Sequence, residues 1–190
     1  MTTNLTCSTS RVPMVISLIG FMGCGKSCIG KELGKQLGYN VIDLDSWIEA
    51  SEQRSVREIF TDEGEKRFRE IETLALTKVL DENGYRNLVL SPGGGLVTTP
   101  EAAGILRDRT TCVYLKAGTD TLVYNLWNWP GDRPILGDRP DKETLRRRIE
   151  KLMAVRAALY ERTAQIIIDI DNKEYPDVAS EIIAETRAAR

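Results

Sequence analysis

The chain has 190 residues, 42% of them hydrophobic, with 26 basic and 28 acidic side chains and a formal charge of −2. That size suits one domain with a full core; no stretch approaches the roughly 20 unbroken apolar residues of a membrane span, and no basic run argues for nucleic acid as the main partner. Histidine is absent and the cysteines are Cys7, Cys24, Cys28 and Cys112. Mixed Cys/His zinc sites are thereby excluded, a general base must come from a carboxylate, Lys, Tyr or Cys, and the thiols are expected to be free in a reducing cytoplasm.

Residues 1–11, rich in Ser and Thr with one arginine, are expected to be a flexible tail before a single domain over residues 12–190. The apolar run 12–19, ending at Gly20, reads as a buried strand. Ile29, Leu33 and Leu37 recur at helical spacing and predict a helix from Lys26 that Gly38 stops. Residues 41–44 read as a second strand that closes on Asp43 and Asp45. Ser55 and Glu58 have capping-box spacing, and residues 62–80 put Phe68, Ile71, Leu74, Ala75 and Val79 on one helical face. A third strand, 88–90, runs into Pro92 and the triplet Gly93-Gly94-Gly95, and Pro100 opens the next helix at its favoured first position. A fourth strand at 113–115 and a short helix at 120–126 follow. Residues 128–141 hold three prolines and two glycines and read as a surface loop. A helix at 143–162, a fifth strand at 166–170 and a closing helix at 177–187 complete the chain. This alternation predicts an α/β fold with a largely parallel sheet.

Gly20-Phe21-Met22-Gly23-Cys24-Gly25-Lys26-Ser27 matches G-x-x-x-x-G-K-[ST] in full, between a predicted strand and a predicted helix. The glycines let the backbone curl so that N–H groups point at phosphate oxygens, and the helix adds its partial positive end. Lys26 would reach the β- and γ-phosphates and Ser27 would offer its hydroxyl to Mg²⁺. Such a loop fits a kinase, a GTPase, a motor or a bare nucleotide-binding module. No N-K-x-D guanine signature is present and the chain is too short for a motor, so a small-molecule kinase using ATP and Mg²⁺ leads.

An acceptor site needs a base, a grip on the acceptor, and cations for the charge on the transferring phosphoryl group. Asp43 and Asp45, two apart at a strand end, would share a face; one would hold magnesium through water and the other accept a hydroxyl proton. Arg69 lies beside Phe68, with Glu72 three residues on to hold its guanidinium. Gly93, Gly94 and Gly95 would let the backbone touch a ligand, and Arg133 and Arg156 supply further cations.

In this order, the phosphate loop, Asp43-Leu44-Asp45, Phe68-Arg69 with Glu72, the glycine triplet, Asp132-Arg133-Pro134-Ile135-Leu136 and Arg156-Ala157-Ala158-Leu159-Tyr160 resemble the shikimate kinase family over nearly the whole chain. The resemblance implies a five-stranded parallel sheet of the P-loop nucleoside-monophosphate-kinase kind, with a mobile lid at about residues 127–141. It implies transfer of the γ-phosphoryl group of ATP to the 3-hydroxyl of shikimate, on the route to chorismate and the aromatic amino acids, by a cytoplasmic monomer. Under it Asp45 is the base and binds the acceptor, Asp43 supports Mg²⁺ through water together with Ser27, and Lys26 and Arg133 serve the phosphates. Nucleotide contacts fall on Gly23, Cys24, Gly25, Lys26, Ser27, Cys28 and Arg133. Arg69 and Arg156 would clamp the shikimate carboxylate while Gly93, Gly94 and Gly95 line the ring site. The competing readings are a related kinase with another acceptor, such as gluconate, and a regulatory module without catalysis.

Three features depart from the family pattern: Cys28 follows Ser27 where the family usually has threonine, the loop at 128–141 is somewhat long, and the residue at position 126 differs. Relatives often carry an adenine-stacking arginine seven residues before the lid arginine, where this chain has Leu126; Trp127 or Trp129 is the replacement surface the sequence offers, against a simple packing role. Cys24 sits at a helix N-terminus, which favours thiolate, and is expected to react with thiol reagents unless ATP protects it.

Overall fold

The computed structural model describes residues 14–82, 87–129, 136 and 140–189. Five parallel strands form one sheet in the order β2-β3-β1-β4-β5: β1 Val15–Ile19, β2 Asn40–Asp43, β3 Leu88–Ser91, β4 Thr111–Lys116 and β5 Ile166–Asp169. The central strands β1 and β3 are buried at every position. Their unbroken apolar runs suit a sheet covered by helices on both faces, where no polar alternation is needed. The one polar residue inside β1, Ser17, is satisfied by Thr110 at 2.6 Å between hydroxyl oxygens.

Seven helices surround the sheet among the described residues: α1 Lys26–Leu37, α2 Leu44–Glu52, α3 Val56–Glu82, α4 Pro100–Arg109, α5 Thr119–Asn128, α6 Lys142–Thr163 and α7 Tyr175–Ala188. None is long and apolar enough to cross a membrane. The helix after β1 and the strand after it lead to one side of the sheet, past β3, whereas the connection after β3 leads to the other side, past β1. The carboxyl ends of β1 and β3 therefore flank the point where winding reverses, the place where a parallel sheet opens a crevice. The phosphate loop leaves β1 there and the glycine triplet leaves β3.

The predicted elements are present, with three corrections. Leu44 does not extend β2 but begins α2, an element the sequence reading lacked; Asp43 caps it, accepting from Ser46 N at 3.2 Å. An Asp at the N-cap competes well with one more ladder residue because it satisfies an orphan helix N–H. α3 starts at Val56, directly after the capping box read from the sequence, in which Ser55 N donates to Glu58 at 2.7 Å and Glu58 N donates to Ser55 Oγ at 3.2 Å. Gly64, at φ 80° and ψ 171°, breaks α3 inside that span. Leu74, assigned to the buried face, is 66% exposed, since the face packing on the core runs through Ile71, Ala75, Leu76 and Val79. The predicted tail 1–11 lies outside the described residues, and of the loop 128–141 they include Asn128, at the end of α5, Trp129, Leu136, Pro140 and Asp141. Leu136 is buried, and its carbonyl accepts from Arg148 of α6.

Candidate active site

The phosphate loop is held open by its glycines. Gly23 and Gly25 take φ of 83° and 86°, which a Cβ would strain, and a Cβ on Gly25 would sit 3.1 Å from the Tyr175 ring. Gly25 is the N-cap of α1, so the loop ends on a helix N-terminus. Lys26 Nζ folds back on the loop, donating to Gly20 O at 2.9 Å and Phe21 O at 3.1 Å. Ser27 donates its hydroxyl to Asp43 Oδ2 at 2.7 Å, tying the start of α1 to the end of β2. Asn125, from α5, donates to Gly23 O at 2.8 Å; nothing in the sequence pattern marked it.

A cavity of about 720 Å³ runs along this loop and past the end of β3. Gly23, Gly25, Lys26, Ser27, Cys28 and Asp43 line one part of it. Asp45, Arg69, Glu72 and the triplet Gly93, Gly94 and Gly95 line another. Asp43 and Asp45 do share the crevice, but not as two residues on one strand face: Asp43 ends β2 and caps α2, and Asp45 is in the first turn of that helix.

The glycine triplet is where backbone and side chains crowd. A Cβ on Gly93 would collide with Glu72 Oε1 and lie 2.9 Å from Asp45 Oδ1. One on Gly94 would stand 3.1 Å from Met22 N and 3.2 Å from Gly20 O, and one on Gly95 would overlap the Arg69 guanidinium. The three glycines thus let β3's exit fit against the phosphate loop on one side and a buried charge cluster on the other.

That cluster is the chemically distinctive part. Glu72 is wholly buried within α3 and bonds Arg69, which also donates to Glu65 at 3.1 Å. Arg69 lies over the rings of Phe60 and Phe68, 5.8 and 5.4 Å from their centroids. Four buried side-chain atoms among the described residues have no hydrogen-bond partner: Asp45 Oδ1, Arg69 Nε, Glu72 Oε1 and Arg156 Nη1. Buried polar atoms are rarely left so, and three of the four belong to residues lining one cavity, which marks a place built for a polar ligand. Burial, then the neighbouring Asp43 charge, pushes the Asp45 carboxyl up to about 6, against the pull of Lys26 and Arg69. Burial likewise raises Glu72 to about 7, although Arg69 and Arg156 favour its ionised form.

Not every predicted residue joins this wall. Arg156 is 4% exposed, lies 6.0 Å from the Phe21 ring centroid and interacts with Glu72, but it does not line the cavity. Arg133 falls outside the described residues. Cys24 is 1% exposed and packs inside the loop, so the expected thiol reactivity does not fit it; Cys28 is the exposed thiol on the cavity. Trp129 lines the cavity and Trp127 does not. Tyr175 also lines it, and the reading of the last helix as beginning at residue 177 overlooked that residue. The Pro176 beside it, a helix-opening residue, was the available signal.

The shikimate kinase family model matches residues 22–187. A curated shikimate kinase from Dictyoglomus turgidum is 36% identical over 172 residues, covering 90% of this chain and 96% of that protein. One from Thermus thermophilus is 37% identical over 185 residues, covering 94% and 96%. Among solved structures, shikimate kinase from Acinetobacter baumannii in complex with shikimate superimposes with a TM-score of 0.86 at 28% identity, over 95% of this chain and 96% of that one. A gluconokinase from Sinorhizobium meliloti shares the fold at a TM-score of 0.55 and 17% identity. On the family match and the extent of these likenesses, the chain belongs to the shikimate kinase family.

Proposed function

We propose that this chain moves the γ-phosphoryl group of ATP to the 3-hydroxyl of shikimate, with Asp45 as the base. The observation that carries the reading is the juxtaposition in one cavity of a phosphate-binding loop and a buried carboxylate whose Oδ1 has no partner, beside the Arg69–Glu72 pair. On nucleotide binding, Lys26 exchanges the carbonyls of Gly20 and Phe21 for phosphate oxygens. Asp45, in its ionised form, accepts the proton of the acceptor hydroxyl, and its raised carboxyl keeps the proton transfer close to balanced near neutral pH.

Ser27 and Asp43 fit Mg²⁺: one hydroxyl and one carboxylate, already joined at 2.7 Å, suit a hard cation that otherwise keeps waters and phosphate oxygens. When bound, the ion would neutralise charge on the β- and γ-phosphates. Arg69 orients the acceptor's carboxylate, with Glu72 fixing its guanidinium so that its fork is presented without a search among rotamers. Arg156 completes the grip only by turning its unpaired Nη1 toward the cavity. Arg133 is proposed to approach the phosphates. We further propose that the enzyme acts as a monomer in the cytoplasm.

The test follows ADP release from Mg·ATP with shikimate, gluconate or quinate as acceptor. Shikimate alone should support turnover. Asp45→Asn should lower kcat by roughly 10²–10⁴-fold with ATP affinity nearly unchanged, and Arg69→Ala should mainly raise KM for shikimate. Turnover with another acceptor would keep the phosphate chemistry and overturn the substrate; ATP binding without acceptor-dependent turnover would favour a regulatory module.

A further inference from the structure

No step of the reaction uses Tyr160 of α6, yet it touches the acceptor wall from behind. Its side chain is 1% exposed, and its ring stacks on Tyr114 of β4, the centroids 5.0 Å apart and the planes 21° from parallel. Its hydroxyl donates to Gly94 O, 66 positions back in the chain. Burial raises that hydroxyl above its ordinary value, against the neighbouring Arg156 charge, so it keeps its proton and acts as a donor. A phenylalanine would fill nearly the same core volume, and a buried hydroxyl is destabilising unless it bonds. Packing alone therefore does not ask for a tyrosine.

The bond matters because of where it falls. The carbonyls on either side are held locally: Leu96 N donates to Gly93 O at 3.2 Å, and Thr98 donates to Gly95 O through its N–H at 2.9 Å and its hydroxyl at 2.7 Å. Among the described residues, Gly94 O has the Tyr160 hydroxyl as its one partner. The peptide between Gly94 and Gly95 joins two residues without Cβ. Turning it over would carry Gly95 from φ −99° to about +80°, a region open to glycine and closed to most other residues. Sterics do not choose its orientation; the tyrosine does. In a trans peptide the C=O and N–H point opposite ways, and none of the described peptide bonds is cis. With Gly94 O turned to α6, the N–H of Gly95 points away from that helix. Gly95 is buried and lines the cavity, and its N–H meets no acceptor among the described residues.

On the reading that shikimate binds beside Arg69, we propose that Tyr160 is a positioning residue for the acceptor: its hydroxyl fixes the Gly94–Gly95 peptide so that Gly95 N–H is presented to the acceptor's oxygen atoms. Gly95 lies so close to the Arg69 guanidinium that a Cβ there would overlap it, and the backbone donor therefore stands beside the cation that faces the carboxylate. An inverted peptide would put the Gly94 carbonyl there instead, an oxygen set against an anionic ligand. Without the tyrosine bond the two orientations compete, and apparent affinity falls with the fraction of molecules in the competent one. The Cα of Gly94, which meets the phosphate loop near Met22 N and Gly20 O, stays in place when the peptide beyond it turns, so nucleotide binding is spared.

Tyr160→Phe isolates the bond, since it keeps the ring on Tyr114. NMR of the intact protein carrying isotope-labelled glycine reads the peptide directly. Without ligand, the parent should give one sharp Gly95 amide resonance and the variant a broadened or doubled one, while Gly23 and Gly25 stay as they were. Shikimate added with Mg·ADP should move the parent's Gly95 amide proton downfield, a test that needs no variant. In turnover assays Tyr160→Phe should raise KM for shikimate roughly 3- to 15-fold, with kcat within about twofold and Mg·ATP affinity unchanged. A merely structural tyrosine would lower Tm and leave both KM and the Gly95 resonance unmoved, and that result would overturn the proposal. So would a parent Gly95 amide that ignores shikimate while other cavity residues respond. If shikimate shifts no resonance at all, the acceptor assignment falls, and the ligand-free spectra still decide whether Tyr160 holds the peptide.

Discussion

The two halves of the cavity are built by different means. The phosphate half is one contiguous stretch, Gly20 to Ser27, in which backbone geometry carries the work and side chains assist: left-handed Gly23 and Gly25, the opening of α1, and a lysine bonded to two carbonyls. The acceptor half is assembled from α2, α3 and the exit of β3, and it depends on ionisable groups withdrawn from water. Backbone dipoles are present whether or not a ligand is bound and lose little by being ready. Buried charges are expensive unless paired, so the acceptor half is the part where preorganisation costs stability. A substitution in one half should therefore damage binding to one substrate, and the stability penalty should be confined to the acceptor half.

Glu72→Ala is the sharpest way to expose that asymmetry. It leaves the Arg69 guanidinium, 11% exposed, with only the surface carboxylate of Glu65 as partner. Removing one member of a buried pair typically costs about 3 kcal/mol or more, which in a chain of this size lowers Tm by roughly 6–12 °C. KM for shikimate should rise together with that loss, while Mg·ATP should bind as before in a titration at a temperature where the variant is folded. If ATP affinity fell in proportion, the two halves would be one energetic unit.

Gly94→Ala probes the seam itself and should have a smaller effect. Its new Cβ would stand 3.1 Å from Met22 N and 3.2 Å from Gly20 O, so the phosphate loop must give by a few tenths of an ångström. Because those neighbours are backbone atoms, the displacement cannot be absorbed by a rotamer change. Unlike the other variants, this one should raise both KM values, roughly three- to tenfold each, and lower kcat, since the two substrates no longer meet at the same spacing. An effect on shikimate alone would mean that the glycines serve only the acceptor.

The same division explains what the sequence could and could not show. Gly20 to Ser27 was legible because its function is local: eight consecutive residues, a preceding apolar strand and a following helix say what the backbone must do. The strands and most helices were legible for a similar reason, their apolar periods being undisturbed. The role of Asp45 was named from family resemblance, but its setting was misread, because Leu44 is apolar enough to extend β2 and only the N-cap bond from Ser46 N to Asp43 shows that a helix starts there. Glu72's spacing to Arg69 was visible, whereas its complete burial was not, since nothing in a helical sequence says that a glutamate will face a cavity wall. Asn125 was invisible, and Pro176 could have marked Tyr175 only as a helix opening, because their partners, Gly23 and Gly25, are about a hundred or more positions away and met through backbone. Cys24 and Cys28 show the limit most directly: one helix N-terminus carries both, and burial decides which thiol is available.

The smallest expected effect comes from the buried charge itself. Burial raises the Glu72 carboxyl from 4.5 to about 7, with Asp45 adding to the rise and Arg69 and Arg156 opposing it. The folded chain then holds this proton more tightly than the unfolded chain does. Stability from this group is accordingly full below about 4.5 and is lost as pH rises toward and through about 7. Glu72→Gln keeps the shape and an oxygen for Arg69 but removes the titration, so the difference in stability between parent and variant reports Glu72 together with its coupling to Asp45, apart from the carboxylates elsewhere in the chain. Measured by denaturant unfolding, the parent should gain about 1–2 kcal/mol on the variant as pH falls from about 7.5 to 5, and the difference should be level above that range. A gain in the opposite direction, with the parent favoured as pH rises, would mean that Arg69 outweighs burial and holds Glu72 as a permanent anion, and the acceptor half would then be a settled ion pair.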